Sequence, residues 1–201
     1  MPPTNGSTRA TRSRCGERPA GLMHILGISG SLRSGSGNSA LLRAMHDNTP
    51  PGCLLSIYDG IGALPIFNPD EEGKSTPAEA RRLIEAVASA DGIIVACPEY
   101  AHGVPGGLKN ALDWLVSGEA AVGKPAMLAH ASPRSLFARA ALREILKTMS
   151  FDLFDGAELE IGLLGRKPEE FDAILQRPET RDTMRTTFTE FQAFIRRNGE
   201  R

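Results

Sequence analysis

The sequence predicts a doubly wound α/β fold: a five-stranded parallel sheet between two layers of helices, with strand order 2-1-3-4-5. Short apolar runs alternate with longer amphipathic segments, which is the rhythm of successive βαβ units. The short runs are almost continuously apolar, as expected for strands of a parallel sheet that is buried on both faces. Because no internal repeat interrupts this rhythm, we expect one three-layer domain.

Five strands are expected at the apolar runs, over residues 23–29, 54–58, 92–97, 126–131 and 157–161. The third run is the clearest, since five apolar residues from Ile93 to Cys97 follow one another without a polar side chain. Each run is followed by Gly, Pro, Ser or Asp residues, which favour a turn or loop at the end of a strand.

The amphipathic segments predict helices over residues 38–47, 77–90, 107–116 and 136–149, and a closing helical region over 168–197. The second helix has a start signal, because Thr76 precedes Pro77 and Glu79 completes a capping box. The closing region places apolar side chains on one stripe, a pattern typical of core packing.

Length and composition exclude several classes of protein. The chain has 201 residues with 41% hydrophobic side chains, enough for a core that needs no disulfide or metal. Its net charge of −1 argues against nucleic acid or an anionic membrane surface as the main partner. No apolar run approaches the roughly 18 residues that span a bilayer. Three cysteines, Cys15, Cys53 and Cys97, show no CxxC spacing, which favours a reducing cytoplasm.

The charge is distributed unevenly between the first 22 residues and the rest. Residues 1–22 contain four arginines and one glutamate, so the remaining chain is negatively charged. The segment has almost no large apolar side chain, and we expect it to be a disordered basic extension. It resembles a transit peptide in its Arg and Ser content but lacks an apolar helical face. We therefore expect the domain to comprise residues 23–201, and Met23 is a possible start.

The loop after the first strand, residues 30–39, has the composition of an anion site. It offers hydroxyls, an amide, a guanidinium and flexible backbone N–H groups, with no acidic side chain, and it leads into a helix N-terminus. Ser36 and Gly37 stand where a nucleotide triphosphate P-loop needs Lys and Ser or Thr, which argues against that class. Residues 35–40 also match G-x-G-x-x-A, and Asp59 ends the second strand, so a dinucleotide-binding fold stays open as an alternative.

A second unusual loop, residues 98–107, follows the third strand and is dense in Gly and Pro. In a doubly wound sheet the ligand crevice lies beyond the carboxyl ends of the strands, where the strand order reverses. Both loops should therefore face one crevice. A rigid Gly- and Pro-rich wall allows the backbone to approach a flat ring closely.

These two loops resemble those of the NADPH-dependent FMN reductase family, flavodoxin-like proteins that include quinone, azo-dye and chromate reductases. The family motif GSLRxxSxNxxL lies within residues 30–42, and PEYNxxxPGxLKNAxDW matches 98–114 with one departure, Ala101 in place of Asn. The resemblance implies that the FMN phosphate is held by Ser31, Arg33, Ser36, Asn38 and Ser39. It implies that the isoalloxazine ring is lined by Pro98, Glu99, Tyr100 and Ala101. A third stretch, residues 131–134, resembles the remaining flavin-edge loop, with Ser132 as its expected contact.

The resemblance implies an FMN-dependent oxidoreductase in which NADPH or NADH reduces FMN and a small acceptor then takes the electrons. Acceptors of the family include quinones, flavins, azo compounds and metal oxyanions. No catalytic side chain and no metal are expected, because hydride passes directly to flavin N5. Family members associate as homodimers or homotetramers, and the same is expected here. A flavodoxin-type electron carrier is the alternative, although such carriers usually dock through strongly acidic surfaces.

Several other residues have open roles. His102 lies in the ring loop, where shaping the substrate mouth is the favoured interpretation. Cys97 is expected to be a buried thiol, and Trp114 a core residue or a dimer contact. The polar segment 61–75 is too long for a tight connection, and we expect a lid over the flavin or an interface loop.

Overall fold

The computed structural model describes residues 21–199, so nearly all of the predicted basic extension lies outside the described residues. Six strands form one parallel sheet: β1 Met23–Ser29, β2 Cys53–Tyr58, β3 Gly92–Ala96, β4 Pro125–His130, β5 Asp152–Leu153 and β6 Leu159–Glu160. Their order is β2-β1-β3-β4-β5, which confirms the prediction. In the dinucleotide-binding alternative β1 would lie between β2 and β4. Here it lies between β2 and β3, which contradicts that alternative.

The fifth position of the sheet differs from the single strand predicted over 157–161. Two short strands share it, since β5 pairs with the start of β4 and β6 pairs with its end. Between them the chain leaves the ladder at Asp155 and Gly156, a pair of residues that favours a turn. Phe154 is buried there, with its ring centroid 5.6 Å from that of Phe191 and 5.5 Å from that of Phe194. The Phe154 side chain thus packs on the last helix, and the strand is interrupted at this point.

Within residues 21–199, six α-helices surround the sheet: α1 Gly37–Asp47, α2 Ala78–Ser89, α3 Gly106–Asp113, α4 Leu136–Thr148, α5 Pro168–Leu175 and α6 Pro178–Gly199. The closing helical region is therefore two helices, because Pro178 lacks an N–H and suits the first turn of a new helix. The predicted capping box at Thr76 is wrong. Helix α2 begins one residue later with Pro77 as its N-cap, and the Thr76 hydroxyl instead donates to Gly73 O at 3.0 Å.

Two apolar cores lie on opposite faces of the sheet and account for its three layers. Helices α1, α5 and α6 cover one face, with Leu41, Phe188 and Phe191 fully buried. Helices α2, α3 and α4 cover the other, where Leu83 and Leu142 are fully buried. Each such side chain contributes about 1.5–3 kcal/mol of transfer free energy. Among residues 21–199, no helix is both long and apolar enough to cross a membrane.

The predicted lid or interface segment, residues 61–75, is bonded to helix α3. Asn110 makes two of these contacts, accepting from Phe67 N at 2.8 Å and donating to Pro65 O at 2.9 Å. The buried Trp114 also donates from its indole nitrogen to Pro65 O at 2.9 Å. These bonds hold the beginning of the segment against the helix that follows the second predicted loop.

Gly30 brings the first predicted loop close to the second. Its N–H donates to Ala96 O at the end of β3, at 2.8 Å. A Cβ at this position would lie 2.8 Å from Leu108 Cδ2 and 3.2 Å from Pro98 Cδ, so the buried Leu108 side chain would have to shift. Glycine is therefore favoured where the first loop lies against the ring loop and helix α3.

Candidate functional site

A cavity of about 310 Å³ lies at the carboxyl ends of β1, β3 and β4, where the three loops after these strands meet. Eight of the ten residues predicted as cofactor contacts line it: Ser31, Arg33, Ser36, Asn38, Pro98, Glu99, Tyr100 and Ser132. Ser39 and Ala101 are not among its lining residues. Four further residues line it: Ala131 and Arg134 belong to the predicted flavin-edge stretch 131–134, whereas Ser135 and Leu164 were not singled out from the sequence.

The anion end of the cavity is built on the N-terminus of α1. Ser36 is the N-cap, and its hydroxyl accepts a hydrogen bond from Ser39 N at 3.3 Å. The first turn contains no acidic side chain. The leading N–H groups of a helix have no intrahelical partners and carry partial positive charge, so they favour an anion. Arg33 adds an exposed guanidinium on the same side of the cavity.

Ser39 faces away from this cavity. Its hydroxyl lies 2.8 Å from the hydroxyl of Ser29, and it lines a neighbouring cavity of about 420 Å³. Arg33 and Ser31 line both cavities and separate them. Ser39 thus supports the end of β1, and it shares this second cavity with two other predicted phosphate contacts, Ser31 and Arg33.

Two side chains connect the anion loop to the other two loops. The buried Asn38 accepts from Ala131 N through Oδ1 at 3.2 Å, which orients its amide and leaves Nδ2 as the donor. The Ser31 hydroxyl lies 3.4 Å from the Tyr100 hydroxyl, at the long end of hydrogen-bonding distance. Both residues are therefore predicted ligands that also fix the relative positions of the three loops.

The ring loop makes a tight turn from Tyr100 to Gly103. The backbone N–H of each of these residues donates to the carbonyl of the other, at 3.1 and 3.0 Å. The two central residues are in the left-handed region, Ala101 with φ 49° and His102 with φ 59°. Asn tolerates this conformation better than Ala, which gives a backbone reason for the family's usual Asn at position 101. Ala101 thus shapes the loop through its backbone.

Glu99 joins the ring loop to helix α4. Its Oε2 accepts from the backbone N–H of Ala138 at 3.0 Å. Ala138 is fully buried in the first turn of α4, and the N-cap residue Ser135 makes no side-chain cap. A carboxylate at a helix N-terminus is favoured by the exposed N–H groups and by the helix dipole. Glu99 therefore acts as the missing cap, supplied from another loop.

Helix α4 holds the third loop, residues 131–135, in place. Ser132 accepts from Arg134 N through its hydroxyl at 3.1 Å, and its carbonyl accepts from the Arg139 guanidinium at 2.9 Å. Arg139 is also paired with Glu160 of β6. The carbonyl of Ser132 is thus fixed, which orients the loop at the edge of the cavity.

A second polar group lies just before this loop. His130 is fully buried at the end of β4, and its Nε2 lies 2.8 Å from Glu158 Oε2. Glu158 is also paired with Arg143 of α4. Burial alone would raise the pKa of Glu158, but its contacts with His130 and Arg143 outweigh that cost, and the pKa is lowered. Glu158 therefore stays ionised and connects the segment before β6 to β4 and α4.

Cys97 is buried at the end of β3, as predicted, and burial raises the pKa of its thiol to about 12. A thiol with this pKa is protonated at neutral pH and is a poor nucleophile. Within residues 21–199 no group of three His, Cys, Asp or Glu side chains is arranged to hold a metal ion. A role for Cys97 as a nucleophile is therefore not supported by its surroundings.

The residues of the cavity fit FMN. One end offers hydroxyl, amide, guanidinium and helix N–H donors for a phosphate, and the other offers a rigid wall made by Pro98, Glu99 and Tyr100. The loop containing Ser132 faces that wall. Among the residues missed, Ser135 could have been found as the polar residue before a helix, whereas Leu164 comes from a loop after β6 that no pattern connects to the site.

Comparisons with known proteins agree with this geometry. Residues 23–175 match the family described as NADPH-dependent FMN reductase. An NAD(P)H-dependent FMN reductase of Pseudomonas aeruginosa is 43% identical over 90 residues, 45% of this chain and 48% of the relative. A quinone reductase of Escherichia coli strain K12 is 30% identical over 183 residues, 87% of this chain and 96% of the relative.

A solved structure gives the same fold. The flavoenzyme NAD(P)H:(acceptor) oxidoreductase FerB of Paracoccus denitrificans superposes with a TM-score of 0.75 at 23% identity, over 88% of this chain and 99% of that one. The predicted flavodoxin-like fold is confirmed by this likeness and by the strand order. The family match confirms an oxidoreductase that uses FMN and NAD(P)H. The chain belongs to the NADPH-dependent FMN reductase family.

Proposed function

We propose that the protein uses NAD(P)H to reduce a small acceptor of the quinone type, with FMN bound in the 310 Å³ cavity. The observation that carries the proposal is that one cavity joins an acid-free loop at a helix N-terminus to the ring loop after β3. A relative named quinone reductase is matched over 87% of this chain, which supports the acceptor class. The alternative, a flavodoxin-type electron carrier, would need neither a site for NAD(P)H nor a site for a small acceptor.

Binding of FMN falls to two sets of side chains. Ser31, Arg33, Ser36 and Asn38 hold the phosphate as donors, because a phosphate accepts strong charge-assisted hydrogen bonds. The ring is held between the wall formed by Pro98, Glu99 and Tyr100 and the loop containing Ser132. Ser39 and Ala101 contribute indirectly, through Ser29 and through the backbone of the ring loop.

The chemistry needs positioning more than acid or base catalysis. When bound, FMN supplies a ring that accepts a hydride from NAD(P)H and passes the electrons on. The chain's own residues hold that ring in place and exclude water from its buried side. Arg139 contributes by fixing the Ser132 carbonyl, and Asn38 contributes by fixing Ala131 N.

We also propose a homodimer or homotetramer in the cytoplasm. Large apolar side chains away from the cavity are exposed, including Ile66 at 81% and Val122 at 62%, and a subunit interface would cover them. Cys53 and Cys97 are free thiols, which suits a reducing compartment. The mass of the purified protein in solution tests the assembly.

A single spectroscopic experiment tests the function. We expect the purified protein, or its apoprotein after addition of FMN, to show visible flavin absorbance. Anaerobic NADPH should bleach this absorbance and a quinone should restore it. A protein that takes up no flavin, or whose bound flavin NADPH does not bleach, would contradict the proposal.

A further inference from the structure

Two stacked rings stand exposed beside the cavity. The rings of His102 and Phe137 have centroids 4.6 Å apart and planes inclined by 21°. Phe137 is 58% exposed, and His102 is exposed too. A ring pair of this kind is normally found in a core or at an interface, where burial of the rings stabilises the fold. Here the pair contributes apolar surface that the fold itself leaves open.

The position of the ring pair is fixed by the site. His102 occupies the second central position of the Tyr100–Gly103 turn, whose left-handed backbone directs the residue away from the strand end. Phe137 lies in the first turn of α4, next to Ala138, whose N–H is bound by Glu99. Glu99 thus ties together the two segments that carry the rings.

The ring pair adjoins the mouth of the FMN cavity. Tyr100, two residues before His102, lines the cavity and is 52% exposed, and Ser135, two residues before Phe137, lines it as well. Leu164 adds another exposed apolar side chain to the cavity lining. An acceptor that approaches the bound ring from this side meets flat apolar surface. A planar aromatic acceptor gains stacking contact there, whereas a small hydrated oxyanion gains none.

We propose that the ring pair His102–Phe137 determines acceptor specificity by stacking flat conjugated acceptors such as quinones in preference to metal oxyanions. This inference rests on the proposed function and adds no step to it. NADPH gives up two electrons and a proton, a second proton comes from solvent, and a quinone becomes a hydroquinone. The ring pair acts on binding of the acceptor alone.

The test compares two acceptors in the FMN-loaded enzyme carrying Phe137→Ala, with 1,4-benzoquinone as the flat acceptor and chromate as the oxyanion. We expect kcat/KM for the quinone to fall about tenfold, equivalent to about 1.4 kcal/mol, mainly through KM. The kcat/KM for chromate should stay within about twofold of the wild-type value. The rate at which NADPH bleaches the bound flavin is measured in the same variant, so that a loss in reduction of the flavin is separated from a loss at the acceptor.

Leu136→Ala is the matched control, since Leu136 lies in the same helical turn and is 64% exposed. We expect it to change kcat/KM for either acceptor by no more than about twofold. Phe137→Trp keeps a ring and should retain the wild-type kcat/KM for the quinone. If Phe137→Ala binds FMN poorly, His102→Gln is the substitute variant and should show the same loss in kcat/KM for the quinone.

Three results would overturn the inference. These are an equal loss for both acceptors, an equal loss in Leu136→Ala, and a change in the mass of the assembly on Phe137→Ala that assigns the rings to a subunit interface. Failure of the wild-type flavin to be bleached by NADPH would instead refute the proposed function.

Discussion

The two ends of the FMN cavity are built in different ways. At the anion end, the helix cap joins residues close in sequence, since Ser36 accepts from Ser39 N, three residues on. At the ring end, the cap of α4 comes from Glu99, which binds Ala138 N across 39 residues of chain, and the ring loop is completed by Phe137 of another helix. The helix at the anion end is therefore capped by its own motif, although Asn38 also ties it to Ala131 N, whereas the helix at the ring end depends on a distant loop for its cap.

This difference separates ligand binding from stability. Arg33 of the anion loop is exposed and can change without loss of a core contact, unlike the buried Asn38 of the same loop. Glu99 of the ring end binds the backbone N–H of the buried Ala138. A mutation of Arg33 should thus affect FMN alone, whereas a mutation of Glu99 should affect both FMN and folding.

The largest effect is expected for Arg33→Ala at the anion end. Loss of a hydrogen bond to a charged group costs about 1.5–3 kcal/mol, so the Kd for FMN should rise between about tenfold and 100-fold. The guanidinium of Arg33 makes no hydrogen bond or ion pair within residues 21–199, so the unfolding free energy of the apoprotein should not change. Titration of the apoprotein with FMN, followed by flavin fluorescence, measures this Kd.

Riboflavin is the control ligand for this prediction because it lacks the phosphate. We expect Arg33→Ala to leave the Kd for riboflavin unchanged, so the preference for FMN over riboflavin should collapse. Arg134→Ala is the matched variant, since Arg134 also lines the cavity but lies in the loop at the ring end. It should keep the preference for FMN. An unchanged preference in Arg33→Ala would refute the phosphate assignment.

Sequence reasoning reached both ends of the cavity, since four of the five residues predicted for each end line it. Local composition predicted an anion site in residues 30–39, because donors without a competing acid are visible in the chain, and the family resemblance assigned the individual residues. The βαβ rhythm predicted a doubly wound sheet, and the resemblance to a flavodoxin-like family favoured the order 2-1-3-4-5, which the structure shows. The position of Ser39 beside Ser29 could not be predicted, because the sequence does not reveal which face of the first helical turn a side chain occupies. The split fifth strand and the helix cap by Glu99 depend on packing partners far along the chain.

A smaller effect is expected for Glu99→Ala at the ring end, and it is a loss of stability rather than a selective loss of FMN binding. The change leaves the buried N–H of Ala138 without its acceptor, which costs about 1–2 kcal/mol. The free energy of unfolding of the apoprotein, measured in urea, should fall by that amount. FMN and riboflavin should lose affinity by the same factor, since the phosphate is not involved.

Two variants calibrate the Glu99 prediction. Glu99→Gln keeps a neutral acceptor and should lose less than half as much stability as Glu99→Ala. Glu144→Ala removes an exposed carboxylate from the same helix, α4, and should change the unfolding free energy by no more than about 0.5 kcal/mol. Equal losses in Glu99→Ala and Glu144→Ala would show that charge on the helix, rather than the cap, is responsible.

The smallest effect is expected at the turn of the ring loop, where Ala101→Gly should stabilise the apoprotein by about 0.5 kcal/mol. Ala101 has φ 49°, and a Cβ in the left-handed region costs about 1–2 kcal/mol, partly offset by the greater chain entropy of unfolded Gly. Ala140→Gly, at an exposed position within α4, should destabilise by about 0.5–1 kcal/mol, as Gly does in an ordinary helix. We predict that the two variants change the free energy of unfolding, measured in urea, with opposite signs. A loss of stability in both variants would mean that the turn carries no backbone strain, and that only tertiary contacts such as that of Glu99 hold the ring end together.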